Sequence, residues 1–137
     1  MVQVDLTHFE LFKSFDEIES DGFYVDLHNE FKCEFVDFRN HQKELTLSFK
    51  LSDKASNKIK RVEIVFEDVA IESFIFKDSQ EHFGEWTINN IYRGRFEISK
   101  DELNEISKDG RFYYYIDFYQ GYSFELFANA VRAKLYE

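Results

Sequence analysis

The sequence predicts a mainly β fold: a single-domain antiparallel β-sandwich or strongly curved β-sheet with one or two short helices, spanning 1–137. Three observations carry this. Glu44 to Leu51 and Arg61 to Glu67 alternate strictly, with Leu45, Leu47, Phe49, Leu51 and Val62, Ile64, Phe66 on one face of each. A strand points successive side chains to opposite faces, so this pattern makes one buried and one wet surface. Aromatics form 19% of the chain, with 17 Phe, 8 Tyr and no Pro, a composition that favours strands and a large aromatic core. Turn signals recur at Asp21-Gly22, Asp109-Gly110 and Gln120-Gly121.

In chain order, Val2, Val4 and Leu6 alternate, after which Leu6, Phe9, Phe12, Phe15 and Ile18 recur every third residue. That spacing, with Thr7 and Glu10 in capping-box form, predicts a short amphipathic helix facing the core. Phe23 to His28 reads as a short strand. Glu30 to Phe38 reads as another, with Phe31, Cys33 and Phe35 inward, and a polar connection over 39–43 leads into the Glu44 strand. A charged loop over 52–60 joins the two clearest strands. The phase breaks at Glu67-Asp68, where continued alternation would bury Asp68 although Val69 and Ile71 are the apolar residues. A bulge or bend there restores the register, and this break is the first place to look for function.

Phe74 to Phe76 supplies a further strand, and 77–85, with His82 and Gly84, reads as a polar turn region. Trp86 to Ile98 contains two short strands broken at Asn89-Asn90 or at Arg93-Gly94. Ser99 to Glu102 repeats the capping-box form ahead of Leu103 and Ile106, predicting a second helix of about two turns. Phe112 to Tyr119 pairs with Tyr122 to Leu135 as a hairpin, with a phase slip near Asn129. The count is about eight to ten strands.

Charge narrows the partners. There are 27 acidic and 17 basic residues, giving −10, with a pI of about 4.9. Nucleic acid and anionic membrane surfaces call for clustered cations, so neither is expected; a basic protein fits better. The single cysteine, Cys33, cannot form an internal disulfide, and the first residues lack a signal-peptide pattern, so a cytoplasmic location is expected. No apolar run reaches the ~20 residues of a membrane helix. An exposed edge strand without Pro is compatible with a homodimer.

Residues with catalytic or ligand-holding potential are scattered. His8, His28, His41 and His82 lack metal-ligand spacing, and Glu17-Ile-Glu-Ser-Asp-Gly22 starts like a calcium loop but has His28 where the bidentate Glu belongs. No cofactor or metal is expected. Cys33 falls at an inward phase, where burial makes a thiol inert. Two constellations suit a partner surface instead. Glu63, Glu67, Asp68 and Glu72 form a candidate acidic stripe, which would add specificity and on-rate toward a basic partner. Tyr113, Tyr115 and Tyr119 share a face opposite Phe112, Tyr114 and Ile116, and would make an amphipathic binding surface if uncovered, or core if covered.

Several short motifs also form a pattern. Leu27-His28 precedes an alternating strand; Leu45-Thr-Leu-Ser-Phe49, Val62-Glu-Ile-Val-Phe66-Glu-Asp-Val69 and Phe124-Glu-Leu-Phe-Ala-Asn-Ala-Val131 follow. This arrangement resembles small acidic bacterial all-β proteins that include immunity proteins of polymorphic toxin systems. Asn29 stands where that group has Asp. The resemblance covers Leu27 onward and implies a non-enzymatic protein-binding module that neutralises a cognate toxin by surface occlusion. The alternative is a small-ligand or carbohydrate-binding β module using a tyrosine-lined cleft.

Overall fold

Two five-stranded antiparallel sheets pack face to face around one core. The computed structural model describes residues 1–76, 86–97, 102–105 and 107–137. The 77–85 region and most of the second capping-box pattern, with Ile106, lie outside them. Among the described residues there are fourteen strands and one helix. They run β1 (Val2–Asp5), β2 (Glu17–Ser20), β3 (Phe23–Asp26), α1 (Leu27–Glu30), β4 (Phe31–Arg39), β5 (Glu44–Leu51), β6 (Arg61–Glu67) and β7 (Ala70–Ile75). Then come β8 (Ile88–Arg93), β9 (Arg95–Glu97), β10 (Glu102–Asn104), β11 (Ser107–Lys108), β12 (Arg111–Phe118), β13 (Ser123–Ala128) and β14 (Ala130–Tyr136).

The first sheet has the order β1-β14-β6-β5-β4. In the second, β12 is flanked by β13 and then β7 on one side, and by β8 and β11 on the other. The alternation read from β5 and β6 is realised: Leu45, Leu47, Phe49, Val62, Ile64 and Phe66 are all buried. They meet Tyr114, Ile116, Phe124 and Leu126 of the second sheet in one cluster, with Phe66 edge-on to Tyr114 at 5.3 Å between ring centroids.

The two phase breaks are the places where strands change sheets. Only Asp68 and Val69 separate β6 from β7, and only Asn129 separates β13 from β14. On one side of this corner Glu67 pairs with Ala130; on the other Ala70 pairs with Phe127. Asp68 turns with φ 54° and is gripped by Arg111, whose Nε donates to its carbonyl at 2.7 Å and Nη2 to its carboxylate at 2.9 Å. Asn129 donates to the Glu67 carbonyl and to the Asp68 carboxylate.

The helix expected over Leu6 to Ile18 does not form. Leu6 and Phe15 are buried as their spacing suggests, but through an irregular segment that ends in β2. Phe12 has φ 63°, which no helix tolerates, and the Thr7 hydroxyl donates to Asp5 and accepts from the Val131 amide instead of capping a turn. The segment lies along the edge of β8: Phe12 N–H donates to the Arg93 carbonyl and Phe15 N–H to the Ile91 carbonyl. Gly94 (φ 108°) permits this approach, since a Cβ there would stand 2.7 Å from the Phe12 ring. The single helix is elsewhere: Asp26 caps α1 by accepting from the Asn29 amide at 3.0 Å, so the strand expected to reach His28 stops at Asp26. Glu102 to Asn104, assigned to a second helix by its capping pattern, pairs as β10 with β9.

A bulge also sits on each of two outer strands. In β7, Ser73 opposes Glu125 and Ile71 opposes Leu126, leaving Glu72 as the extra residue. In β4, Cys33 opposes Phe49 and Phe35 opposes Ser48, leaving Glu34 extra.

Candidate binding face on the five-stranded sheet

The β4 bulge decides what this sheet presents to solvent. The sequence pattern placed Phe35 inward with Phe31 and Cys33; the extra residue at Glu34 reverses the phase. Phe31 and Cys33 remain in the core, Val36 and Phe38 take the inner phase, and Phe35 turns outward with 65% of its surface exposed. Cys33 anchors the bulge through both backbone groups, which bond to Trp86 at 2.8 and 3.0 Å. Leaving a Phe in water forgoes about 1.5–3 kcal/mol of burial; Phe74 and Phe76 at the second sheet's edge are comparably exposed, at 49% and 58%.

Phe35 stands at the rim of a cleft of about 510 Å3 on the outer face of β4, β5, β6 and β14. The register aligns its walls in rows. Phe35, Ser48, Glu63, Lys134 and Gln3 follow one another across the five strands, and Asp37, Thr46, Val65, Arg132 and Asp5 form the next row. Val65 is nearly buried in the floor. The cleft therefore combines an exposed aromatic, two hydroxyls and charges of both signs. No tyrosine lines it.

The four acids singled out in the sequence are divided by the fold. Glu63 and Glu67 lie on this face, Asp68 lies at the sheet-crossing corner, and Glu72 lies on the β7 bulge. Each has a cation close by: Arg61 is 3.5 Å from Glu63, Arg132 is 3.4 Å from Glu67, Arg111 is 2.9 Å from Asp68, and Arg95 is 3.7 Å from Glu72. The Arg111 hydrogen bond holds the Asp68 carboxyl below its ordinary pKa. Glu63 also engages the Tyr136 hydroxyl and so raises its pKa. A further cleft of about 320 Å3 beside Arg111 is lined by Ile71, Glu72, Lys108 and Phe127.

The tyrosine row lies on the outer face of the second sheet and is covered unevenly. Tyr113 is 3% exposed beneath Phe127 and Arg95, and its hydroxyl donates to Glu125 at 2.8 Å. Burial raises its pKa well above the usual tyrosine value. Tyr115 is half-buried against Tyr92 of β8, a neighbour that periodicity within one strand cannot reveal. Tyr119 lies beyond the end of β12 and is 75% exposed. Tyr113 and Tyr115 thus share a sheet face, while Tyr119 stands at the turn.

Cys33 is buried, and desolvation pushes its thiol up to about 12, far from a reactive thiolate. Among the described residues no group of three or more His, Cys, Asp or Glu could hold a metal ion. The calcium-like stretch is a β2–β3 hairpin with Glu17 opposite Asp26. Among the described residues no helix is long and apolar enough to cross a membrane. No protein-family model, curated protein or solved structure matches the chain.

Phe35 is the functional candidate that sequence reasoning missed. The only signal was indirect: Phe31, Cys33, Phe35 and Phe38 cannot all share one face of an unbroken strand.

Proposed function

We propose that this is a non-enzymatic protein-binding module, and that the outer face of the five-stranded sheet is its docking surface. The observation that carries the reading is the outward turn of Phe35 onto the rim of the cleft. A large exposed aromatic beside a depression, ringed by paired charges and hydroxyls, has the composition of a binding hot spot inside a polar rim. Binding here occludes the partner's surface; it requires no chemistry from this chain. The resemblance to immunity proteins supplies the most concrete form of the proposal, the neutralisation of a cognate bacterial toxin in the cytoplasm.

The test is co-expression of the tagged protein with the product of the adjacent reading frame. Wild type should form a stoichiometric complex and, if the neighbour is toxic, restore growth. Phe35→Glu should abolish both while keeping the wild-type circular dichroism spectrum. A complex that survives Phe35→Glu moves the docking surface elsewhere, and the absence of any complex overturns the toxin reading.

A further inference from the structure

One end of the same sheet face carries a charge pattern opposite to that of the whole chain. The register sets Lys32 opposite Lys50, and Lys50 opposite Arg61. Like charges directly opposite one another on neighbouring strands destabilise a sheet, so the row works against folding. The adjoining 52–60 loop adds Lys54, Lys58 and Lys60, all exposed. Acids beside these six cations include Glu30, Glu34, Asp53 and Glu63, of which Glu34 lies 3.9 Å from Lys50 and Glu63 3.5 Å from Arg61. Two of the ammonium groups rest on neutral acceptors: Lys32 donates to the Thr87 hydroxyl and Lys60 to the Asn57 carbonyl. Those bonds orient the groups without cancelling their charge. Arg61 divides itself between Glu63 and the ring of Tyr136, 4.6 Å from its centroid.

Between them lies a depression of about 180 Å3, lined by Lys32, Lys50, Leu51, Ser52, Asp53 and Lys54. A water molecule takes up ~30 Å3 of liquid, so the space admits a carboxylate side chain together with a few waters.

We propose that this cationic end receives an acidic segment of the partner protein while Phe35 anchors the neighbouring cleft; the inference rests on the reading of this face as the docking surface. Charge decides the class of ligand. Within a Debye length of about 8–10 Å an acidic side chain senses the local cations, whereas a nucleic acid, charged along its whole length, also meets the field of a chain carrying −10. With Arg61 set against Glu63, the five lysines stand beside three acids, Glu30, Glu34 and Asp53, so this end of the face is net positive and the complementary charge on the partner is negative.

The experiment is an amide NMR titration of the full chain at low salt with three probes: a hexaglutamate peptide, a hexalysine peptide and a hexathymidylate. Hexaglutamate should shift the amides of Lys32, Lys50, Arg61 and the 52–58 loop, and the double charge reversal Lys50→Glu/Arg61→Glu should weaken its binding at least tenfold. Lys50→Gln/Lys54→Gln, milder for the fold, should weaken it about threefold. The titration uses no partner protein, so its failure is distinguishable from failure of the docking-surface reading, which complex formation with Phe35→Glu tests separately. Absence of localised shifts, shifts that survive both double variants, or equal shifts with hexalysine or hexathymidylate would overturn the proposal.

Discussion

Truncating Phe31 and Phe35 separately tests the β4 bulge in solution. The two residues lie on one strand and an unbroken alternation would bury both. Phe31 is fully buried, so Phe31→Ala removes most of a ~200 Å2 side chain from the core and leaves a cavity, costing about 3–5 kcal/mol. Phe35 keeps 65% of its surface in water. Only ~70 Å2 is covered, so Phe35→Ala forfeits at most ~2 kcal/mol at ~25 cal/mol/Å2. Urea unfolding followed by circular dichroism reads the difference: with a slope of ~2 kcal/mol/M, the midpoint should fall by about 2 M for Phe31→Ala and by less than 1 M for Phe35→Ala. Equal losses would mean that Phe35 is a core residue and that the docking surface is misassigned. In the proposed complex the ranking should reverse. Burying the remaining ~130 Å2 of Phe35 contributes up to ~3 kcal/mol, so Phe35→Ala should weaken partner binding by as much as ~100-fold.

Other consequences can be checked on the isolated protein. Tyr114→Phe deletes the hydroxyl that donates to the Thr7 carbonyl at 3.0 Å inside the core, which should cost about 1–2 kcal/mol and lower the melting temperature by roughly 3–8 °C. An unchanged melting temperature would show that the N-terminal segment is not held this way. Cys33 should stay unreactive toward an aromatic disulfide reagent at pH 8 until urea unfolds the chain, because burial pushes its pKa up to about 12. Tyr113 and Tyr114 both have pKa values raised by burial, so the stability they contribute is complete below the ordinary value of ~10 and is lost as the pH rises above it. Absorbance at 295 nm should show two tyrosines ionising only as the fold is lost. Asp68 has the opposite sign: its folded pKa is lowered, so its contribution holds above the ordinary carboxylate value and disappears as the pH falls through the lowered one. The difference in urea midpoint between wild type and Arg111→Ala should therefore be constant near pH 6 and shrink below pH ~3.8.

Sequence periodicity located the strands wherever both faces of a strand keep one environment. β5, β6, β12 and β13 are such cases; the interruptions at Asp68 and Asn129 were visible as a bulge or bend and a phase slip, but that each marks a change of sheet came only from the fold. Periodicity failed where the backbone satisfies its hydrogen bonds outside the local pattern. The stretch from Leu6 to Phe15 has helical spacing, yet the amides of Phe12 and Phe15 bond to carbonyls of β8 and that of Leu6 to Val131, so distant contacts outweighed a local preference. The bulge at Glu34 was illegible for a related reason. A single unpaired residue leaves no mark on composition, and its partner across the edge, Trp86, is far off in sequence. The acids illustrate a third limit. Charge can be counted in the sequence, but which cation sits beside which acid depends on strands that meet only after folding.

The corner at Asp68 also has a consequence for how the chain is made. β6 lies at the centre of its sheet between β5 and β14, and Glu67 finds its partner Ala130 about 60 residues downstream, some 3–12 s later at 5–20 residues per second of synthesis. During that interval a nascent β5–β6 hairpin offers an open edge along Val62, Ile64, Val65 and Phe66, which is just the kind of segment that sticks to another copy. Arg61, Glu63 and Glu67 interrupt it with charge, so residues that form ion pairs in the finished fold also have the character of gatekeepers against aggregation while the chain is being made.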